Sequence, residues 1–382
     1  MNILIIGNLE GHIIFKEYCD QLINNDIDLK ILDIWNFRFY DWKSKKLLSQ
    51  LKNVTWLFSI PKIRVVVRYI YEKYFTFYSL QKNKFDIVAF HYASPIKYLR
   101  IINLVKKKTK KIALVIWGSD LLRREEKNEI KFCKLILSMD IVICGSFGLQ
   151  DKLLLDYPQI KEKSKVVFFG SYFYDIMKEI KSQNYGTKNI FKVDNRILIT
   201  CGYNANTAQR HLKILDALYN IKSEILNKTQ FILPMTYYED QEGYIDMVKV
   251  EFSKSNLNYI VLDSKLLNED IAKLRMETDL VINIQTTDSF SGSIREHLYA
   301  GNVVLVGDWL PYDYLEERGV FYLKTSLEDL AENIAYCINN IDELKKKCVN
   351  NPDIVYSFSS WNNVINDWIK TFEDLVEGRI GN

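Results

Sequence analysis

Thr287-Asp288-Ser289-Phe290-Ser291-Gly292-Ser293-Ile294-Arg295-Glu296-His297-Leu298-Tyr299-Ala300-Gly301 follows an apolar run, 279–284, that reads as a buried strand. Small residues then lead into a helical pattern that Gly301 ends. A strand, a Ser/Gly turn and a helix start make an anion site, because free backbone N–H groups and the positive helix end face one point. Asp288 and Glu296 bracket the turn eight positions apart. Carboxylates are poor partners for a phosphate, but they accept hydrogen bonds from sugar hydroxyls. The local chemistry therefore points to a nucleotide sugar, with phosphates on the backbone and sugar rings on the acids.

Outward from this stretch, strands are expected at 197–201, 230–234, 259–262, 280–284, 303–306 and 320–322, alternating with helices at 211–225, 244–253, 268–277, 293–299 and 326–338. An earlier series starts afresh at the N-terminus. Its strands fall at 2–6, 28–32, 86–90, 112–116, 141–144 and 166–169, with helices that include 10–24, 96–107 and 125–138. The alternation predicts an α/β protein of two doubly wound, Rossmann-like domains. We expect the first over 1–177, a polar junction, the second over 196–350, and a tail over 351–382. In the tail, Trp361, Ile365, Trp368, Ile369 and Phe372 recur at helical spacing, so this helix is expected to pack back on the first domain.

A chain of 382 residues can support two cores. Its net charge of +3 gives no reason to expect nucleic acid. The six cysteines are scattered without a C-x-x-C pair, which reads as reduced, buried thiols and neither a zinc site nor a disulfide framework. The first strand has no basic leader, and no apolar stretch has bilayer-crossing length, so a cytoplasmic location is expected. Basic residues gather in the first half. Arg64, Arg68 and Lys73 interleave with apolar and aromatic residues between Trp56 and Tyr78, a pattern suited to an anionic membrane surface. The lysines within 106–111 fit such a surface or a solvated helix end.

Ligands of open α/β sheets sit beyond the carboxyl ends of strands. Two facing domains would bring Gly7, His91, 118–120, 202–210 and 288–296 around one cleft, since each lies just after an expected strand. Each also has a plain structural reading. Arg210 suits a surface ion pair, His211 a cap or a stacking contact, His91 a satisfied buried imidazole, and Asp120 an N-cap.

The segment 288–305 resembles the large retaining glycosyltransferase family of GT-B architecture (glycosyltransferase family 4-like), which includes sucrose synthases and mannosyltransferases. That family carries an E-x7-E motif, then Ala-x-Gly, then an apolar strand. Asp288 stands at the first acidic position and Glu296 at the second, and Tyr299-Ala300-Gly301-Asn302-Val303-Val304-Leu305 matches the helix end and strand after them. The resemblance implies that Glu296 binds the nucleotide ribose, Asp288 contacts the donor sugar, and the amides of Gly292, Ser293 and Ile294 hold the diphosphate. Gly202 fits the glycine after the first strand of the second domain, and Arg210 falls near the phosphate-binding lysine. Tyr203 replaces the family's early arginine. Trp117 replaces the histidine that many relatives carry beside the reacting sugar, leaving Asp120 as the acidic group there. Gly202 to His211 with Asn204, 233–238, and Trp117-Gly118-Ser119-Asp120 are also similar to the 4-acetamidofucosyl lipid transferases of enterobacterial common antigen.

These features predict sugar transfer with retention from a nucleoside diphosphate to an acceptor hydroxyl of a glycan, lipid-linked or protein-linked molecule, in bacterial surface polysaccharide or glycoconjugate assembly. Arg210, Asp288 and Asp120 are the expected catalytic residues. Gly202, Asn204, His211, Gly292, Ser293, Ile294 and Glu296 are the expected donor-binding residues. No tightly bound cofactor and no metal are expected, since no Asp-x-Asp follows a strand. The nucleobase would meet backbone near 263–267, which leaves its identity unread. An inverting transferase, a sugar-nucleotide epimerase and a non-catalytic transferase-like subunit stay open as alternatives.

Overall fold

Near-continuous runs of Ile, Val and Leu such as 141–143, 280–282 and 303–306 are what a parallel strand covered on both faces requires. The computed structural model describes residues 1–8, 13–50, 64–183, 189–236 and 243–380. The start of the expected 10–24 helix, the beginning of the basic and aromatic segment from Trp56, part of the polar junction at 184–188, and Tyr237 and Tyr238 lie outside the described residues. The chain divides into two units, Met1–Gly170 with Trp361–Asn382, and Ser171–Ser360.

Among the described residues the first unit holds strands β1 (Asn2–Ile6), β2 (Asp28–Asp33), β3 (Arg38–Asp41), β4 (Lys46–Gln50), β5 (Phe85–His91), β6 (Thr109–Ile116), β7 (Ile141–Cys144) and β8 (Ser164–Val166). They form one sheet in the order β4-β3-β2-β1-β5-β6-β7-β8. All pairs are parallel except β2–β3 and β3–β4, an antiparallel extension that the sequence reading omits. The chain reverses direction of winding between β1 and β5. The lysine run crosses a helix end into β6, where Lys110 pairs with Asp86 at 2.7 Å.

The C-terminal helix Trp361–Val376 belongs to this unit. Trp361, Val364, Ile365, Trp368, Phe372 and Leu375 are buried at three- and four-residue spacing, the apolar stripe of a docked helix. The Trp368 indole N–H donates to Phe168 O at 2.9 Å, and its ring packs on Tyr18 at 4.8 Å. Gly170 lets the chain pass this helix, since a Cβ there would sit 2.5 Å from the Trp361 ring.

The second unit holds β9 (Ile197–Cys201), β10 (Thr229–Pro234), β11 (Tyr259–Leu262), β12 (Leu280–Asn283), β13 (Val303–Gly307) and β14 (Leu323–Thr325). All pair in parallel, in the order β11-β10-β9-β12-β13-β14. By position in the chain this is 3-2-1-4-5-6, the order of dinucleotide-binding sheets, with its switch point between β9 and β12. β14 starts three residues after the position expected from sequence. The Asn351 amide takes both backbone groups of Phe321, accepting from its N–H at 2.8 Å and donating to its carbonyl at 2.7 Å, so that residue cannot join the ladder. The expected 211–225 helix is instead His211–Leu218 followed by a short Ser223–Leu226.

Candidate functional site

Two connections leave the switch point of the second sheet, 202–210 after β9 and 284–291 after β12. Gly202 begins the first with φ +63°, and a Cβ there would meet Gln209 Oε1 at 2.9 Å and His211 Nε2 at 3.0 Å. Only glycine satisfies both the left-handed backbone and the contact. Asn204 Oδ1 accepts from Asn206 N (2.9 Å), and Asn206 Oδ1 accepts from Ala208 N (2.8 Å), two side-chain turns that fold the loop on itself. Arg210, left-handed at φ 59°, opens the helix His211–Leu218.

The two connections are stitched together. Gln209 Nε2 donates to Gln285 Oε1 at 2.9 Å, Thr286 N donates to Ala208 O at 2.9 Å, and the Tyr203 hydroxyl pairs with the Gln285 amide. The Trp309 indole N–H donates to Gln285 O at 2.9 Å, and the Arg210 guanidinium lies 5.1 Å from the Trp309 ring centroid. Arg210 forms no ion pair among the described residues.

The helix Gly292–Ala300 starts at the second connection. The side chain of its N-cap residue, Ser291, makes no cap hydrogen bond among the described residues, so the amides of Gly292, Ser293 and Ile294 keep the unused N–H groups of a first helical turn. The Asp288 carboxylate accepts from Ser289 N at 2.8 Å and from the Tyr312 hydroxyl, and Asn283 Nδ2 approaches it at 3.4 Å. Burial pushes the Asp288 carboxyl above its ordinary range, and the Tyr312 hydrogen bond opposes that shift. Glu296 is buried as well. Its Oε1 accepts from Ser171 Oγ (3.1 Å) and its Oε2 from Arg275 Nε (3.3 Å). Burial outweighs the Arg275 charge, and the Glu296 carboxyl also sits above its usual range. Arg275 Nη1 reaches His297 Nε2 at 3.0 Å, which with burial keeps that imidazole neutral.

Buried polar atoms near this switch point, among them Asn283 Oδ1 and Ser293 Oγ, have no hydrogen-bond partner among the described residues. Buried polar groups are nearly always paired, so this is where a polar ligand is accommodated at least cost. His211 is held down to about 4 by burial, with its Nδ1 3.3 Å from the Tyr244 hydroxyl.

The structure thus gathers Gly202, Asn204, Arg210, His211, Asp288, Gly292, Ser293, Ile294 and Glu296 in the second unit. Sequence reasoning missed Asn283, Tyr312, Arg275 and Ser171, of which only Asn283 carries a signal, a polar residue closing an apolar strand. Asp120 belongs to the first unit. It accepts from Ala93 N (2.7 Å), Trp117 N (3.0 Å) and Gly118 N (2.8 Å), joining the loops after β5 and β6, and burial raises it to about 6. The helix it belongs to, Ser119–Leu122, has Gly118 as its N-cap residue. His91, at the end of β5, is ringed by Phe15, Tyr18 and Trp117 with centroids 5.0–6.0 Å away, and neither ring nitrogen is hydrogen-bonded among the described residues.

No family model and no curated protein matches the sequence. Solved structures do. The sucrose-phosphate synthase of Thermosynechococcus elongatus matches with a TM-score of 0.74 at 11% identity, covering 99% of this chain and 100% of that one. HepE of Anabaena, solved in complex with UDP and glucose, matches with a TM-score of 0.69 at 14% identity over 98% of this chain and 100% of that one. A glycosyltransferase from Rickettsia africae gives 0.67 at 14% identity over 98% of each chain. At such identities the likeness is one of fold, and the fold of this chain is that of the GT-B glycosyltransferases, with two Rossmann-like parallel-sheet domains.

Proposed function

We propose that the protein is a glycosyltransferase that moves a sugar from a nucleoside diphosphate to an acceptor hydroxyl with retention of configuration, in the assembly of a bacterial surface polysaccharide or glycoconjugate. The observation that carries this reading is the switch point of the second sheet, which carries an uncapped helix start, an arginine without an ion pair among the described residues, and two buried carboxylates. HepE was solved with UDP and with UDP-glucose, which supports a nucleotide-sugar donor of the same general kind.

Under this reading the amides of Gly292, Ser293 and Ile294 and the Arg210 guanidinium stabilise the negative charge that develops on the leaving diphosphate. Donors fixed in place before the reaction are the largest source of catalysis in such steps. Asp288 accepts from donor-sugar hydroxyls. Glu296 accepts from the ribose, each of its oxygens keeping a lone pair beside those used by Ser171 and Arg275. Gly202, Asn204 and His211 shape the facing loop. Asp120 shapes the loops after β5 and β6 in the first domain, which takes the acceptor. The acceptor proton passes to the leaving phosphate oxygen, so neither a metal nor a separate base is required.

The test is a thermal-shift series with UDP-, GDP-, dTDP- and CMP-sugars, since a ligand that binds the folded state raises its melting temperature. One nucleotide class should stabilise the chain, and the product formed with it should keep the donor's anomeric configuration. Stabilisation by none of them would overturn the reading, and an inverted product would assign an inverting mechanism.

A further inference from the structure

The helix Arg64–Leu80 is apolar on two sides. Its buried side chains are Glu72, Phe75, Thr76, Ser79 and Leu80, whereas Val65, Val66, Ile70, Tyr74, Phe77 and Tyr78 stand 50–58% exposed. A helix resting on a protein core with its other face in water keeps that outer face polar. The inner side is a built contact. Glu72 accepts from Arg68 Nε at 3.2 Å and from Arg100 Nη1 at 2.7 Å, and the Thr76 hydroxyl donates to Glu72 O at 2.7 Å. The orientation is therefore fixed from inside, and one apolar side faces outward. β4 widens the patch: Ser49 Oγ lies 3.3 Å from Ser79 Oγ, and its neighbours Leu47 and Leu48 are exposed.

Charge on this side has one sign. Glu72 is the helix's single acid and it is buried, whereas Arg64 is exposed and Lys73 lies over the Tyr69 ring at 4.5 Å. On the adjacent helix, Pro95–Lys106, Arg100 lies 5.7 Å from the same ring and is paired with Glu72. The Lys97 ammonium is buried, 4.2 Å from the Trp35 centroid. A second copy of the chain would set Arg64 and Lys73 against like charges across a two-fold axis. No helix among the described residues is long and apolar enough to cross a membrane. An apolar face bordered by cations and tyrosines fits a helix lying in the plane of an anionic bilayer surface.

We propose that this face docks the protein on anionic lipid, with Val66, Ile70, Tyr74 and Phe77 entering the acyl boundary and Arg64 and Lys73 meeting headgroup phosphates. The further step, that the acceptor is itself borne on a lipid, rests on the transferase reading. Docking does not.

The experiment is co-sedimentation of the full chain with phosphatidylcholine vesicles, with and without phosphatidylglycerol, at low and high salt. Binding should appear with phosphatidylglycerol and fall about tenfold or more in high salt or on neutral vesicles. Lys73→Glu should weaken it about fivefold or more, given roughly one such factor per basic residue at an anionic surface. The pair Ile70→Asp and Phe77→Asp should abolish it with the melting temperature unchanged, because both side chains are exposed. Equal binding to neutral vesicles, full binding by the double variant, or wild-type protein left in every supernatant would overturn the proposal. Dimerisation that the double variant removes would overturn it too, in favour of self-association. A thermal shift on the same samples with UDP-, GDP-, dTDP- and CMP-sugars separates the two readings: its absence with all four counts against the donor site and leaves docking untouched.

Discussion

The Tyr312 hydroxyl donates to Asp288 Oδ2 from 24 positions away, and both side chains are buried. This bond opposes the burial that pushes the Asp288 carboxyl upward. It also fixes where the acid points, which a donor-sugar contact requires. Tyr312→Phe removes one donor from a buried carboxylate at nearly constant volume. The expected cost is about 1.5–3 kcal/mol in urea unfolding, the scale for a hydrogen bond to a charged group. Donor affinity should fall with it. A denaturation midpoint equal to wild type would show that the bond holds nothing in place.

Glu296 needs a more careful substitution than the usual truncation. Glu296→Ala would leave the Arg275 guanidinium buried without a counter-charge, a change worth roughly 3–5 kcal/mol, and weak donor binding would then be inseparable from unfolding. Glu296→Gln also removes the counter-charge, but it keeps the shape and a carbonyl acceptor for Arg275 Nε, so the loss is smaller. We expect it to weaken binding of whichever nucleotide stabilises the wild type by about 1–3 kcal/mol in calorimetry while the protein stays folded at the temperature of measurement. Unchanged affinity for that nucleotide in a folded Gln variant would remove Glu296 from the proposed ribose contact.

Much of the second sheet is legible from sequence because its strands are short apolar runs with turn signals on both sides. β9 and β11 fall where the runs fall. β14 does not, because the residue that claims Phe321 is Asn351, thirty positions away. The β3–β4 hairpin is illegible for another reason. Its turn carries Lys45 at φ 53° without the glycine or asparagine that normally marks such a position, and β4 is largely exposed. The bracket of Asp288 and Glu296 is written in local spacing. Their partners Tyr312, Arg275 and Ser171 come from 24, 21 and 125 positions away, and only the fold brings them in. In the helix Arg64–Leu80 the mixture of basic and apolar residues is legible, but which of its apolar residues face the core, Phe75 and Leu80, is not.

Arg210 offers a separation of catalysis from folding. Its guanidinium lies 5.1 Å from the Trp309 ring centroid, and no carboxylate among the described residues neutralises it. Arg210→Met keeps an unbranched stem and removes the charge. Turnover should drop by about 10²-fold, the scale of losing one fixed electrostatic donor, with stability changed by no more than about 0.5 kcal/mol. A variant that unfolds while its residual folded fraction turns over normally would make Arg210 structural.

The buried histidines predict how the fold responds to acid. Burial holds His91 down to about 3 and His211 to about 4, and burial with the Arg275 charge holds His297 well below its usual range. In the unfolded chain each titrates near 6.5. Between that value and the folded values the unfolded state binds more protons, so stability is complete above about pH 6.5 and declines as pH falls. The slope is roughly 1.4 kcal/mol per pH unit for each group. Asp120, raised to about 6, works in the opposite sense, since its folded form holds a proton that the unfolded chain has released. His91 is the group to isolate, because the rings packed around it, Phe15, Tyr18 and Trp117, carry no charge. His91→Phe removes its titration and leaves Asp120 in place. Urea unfolding of variant and wild type at pH 7 and pH 5 should show the variant gaining about 2 kcal/mol relative to wild type at the lower pH. A difference that stays constant across the two pH values would mean that His91 protonates freely in the folded protein.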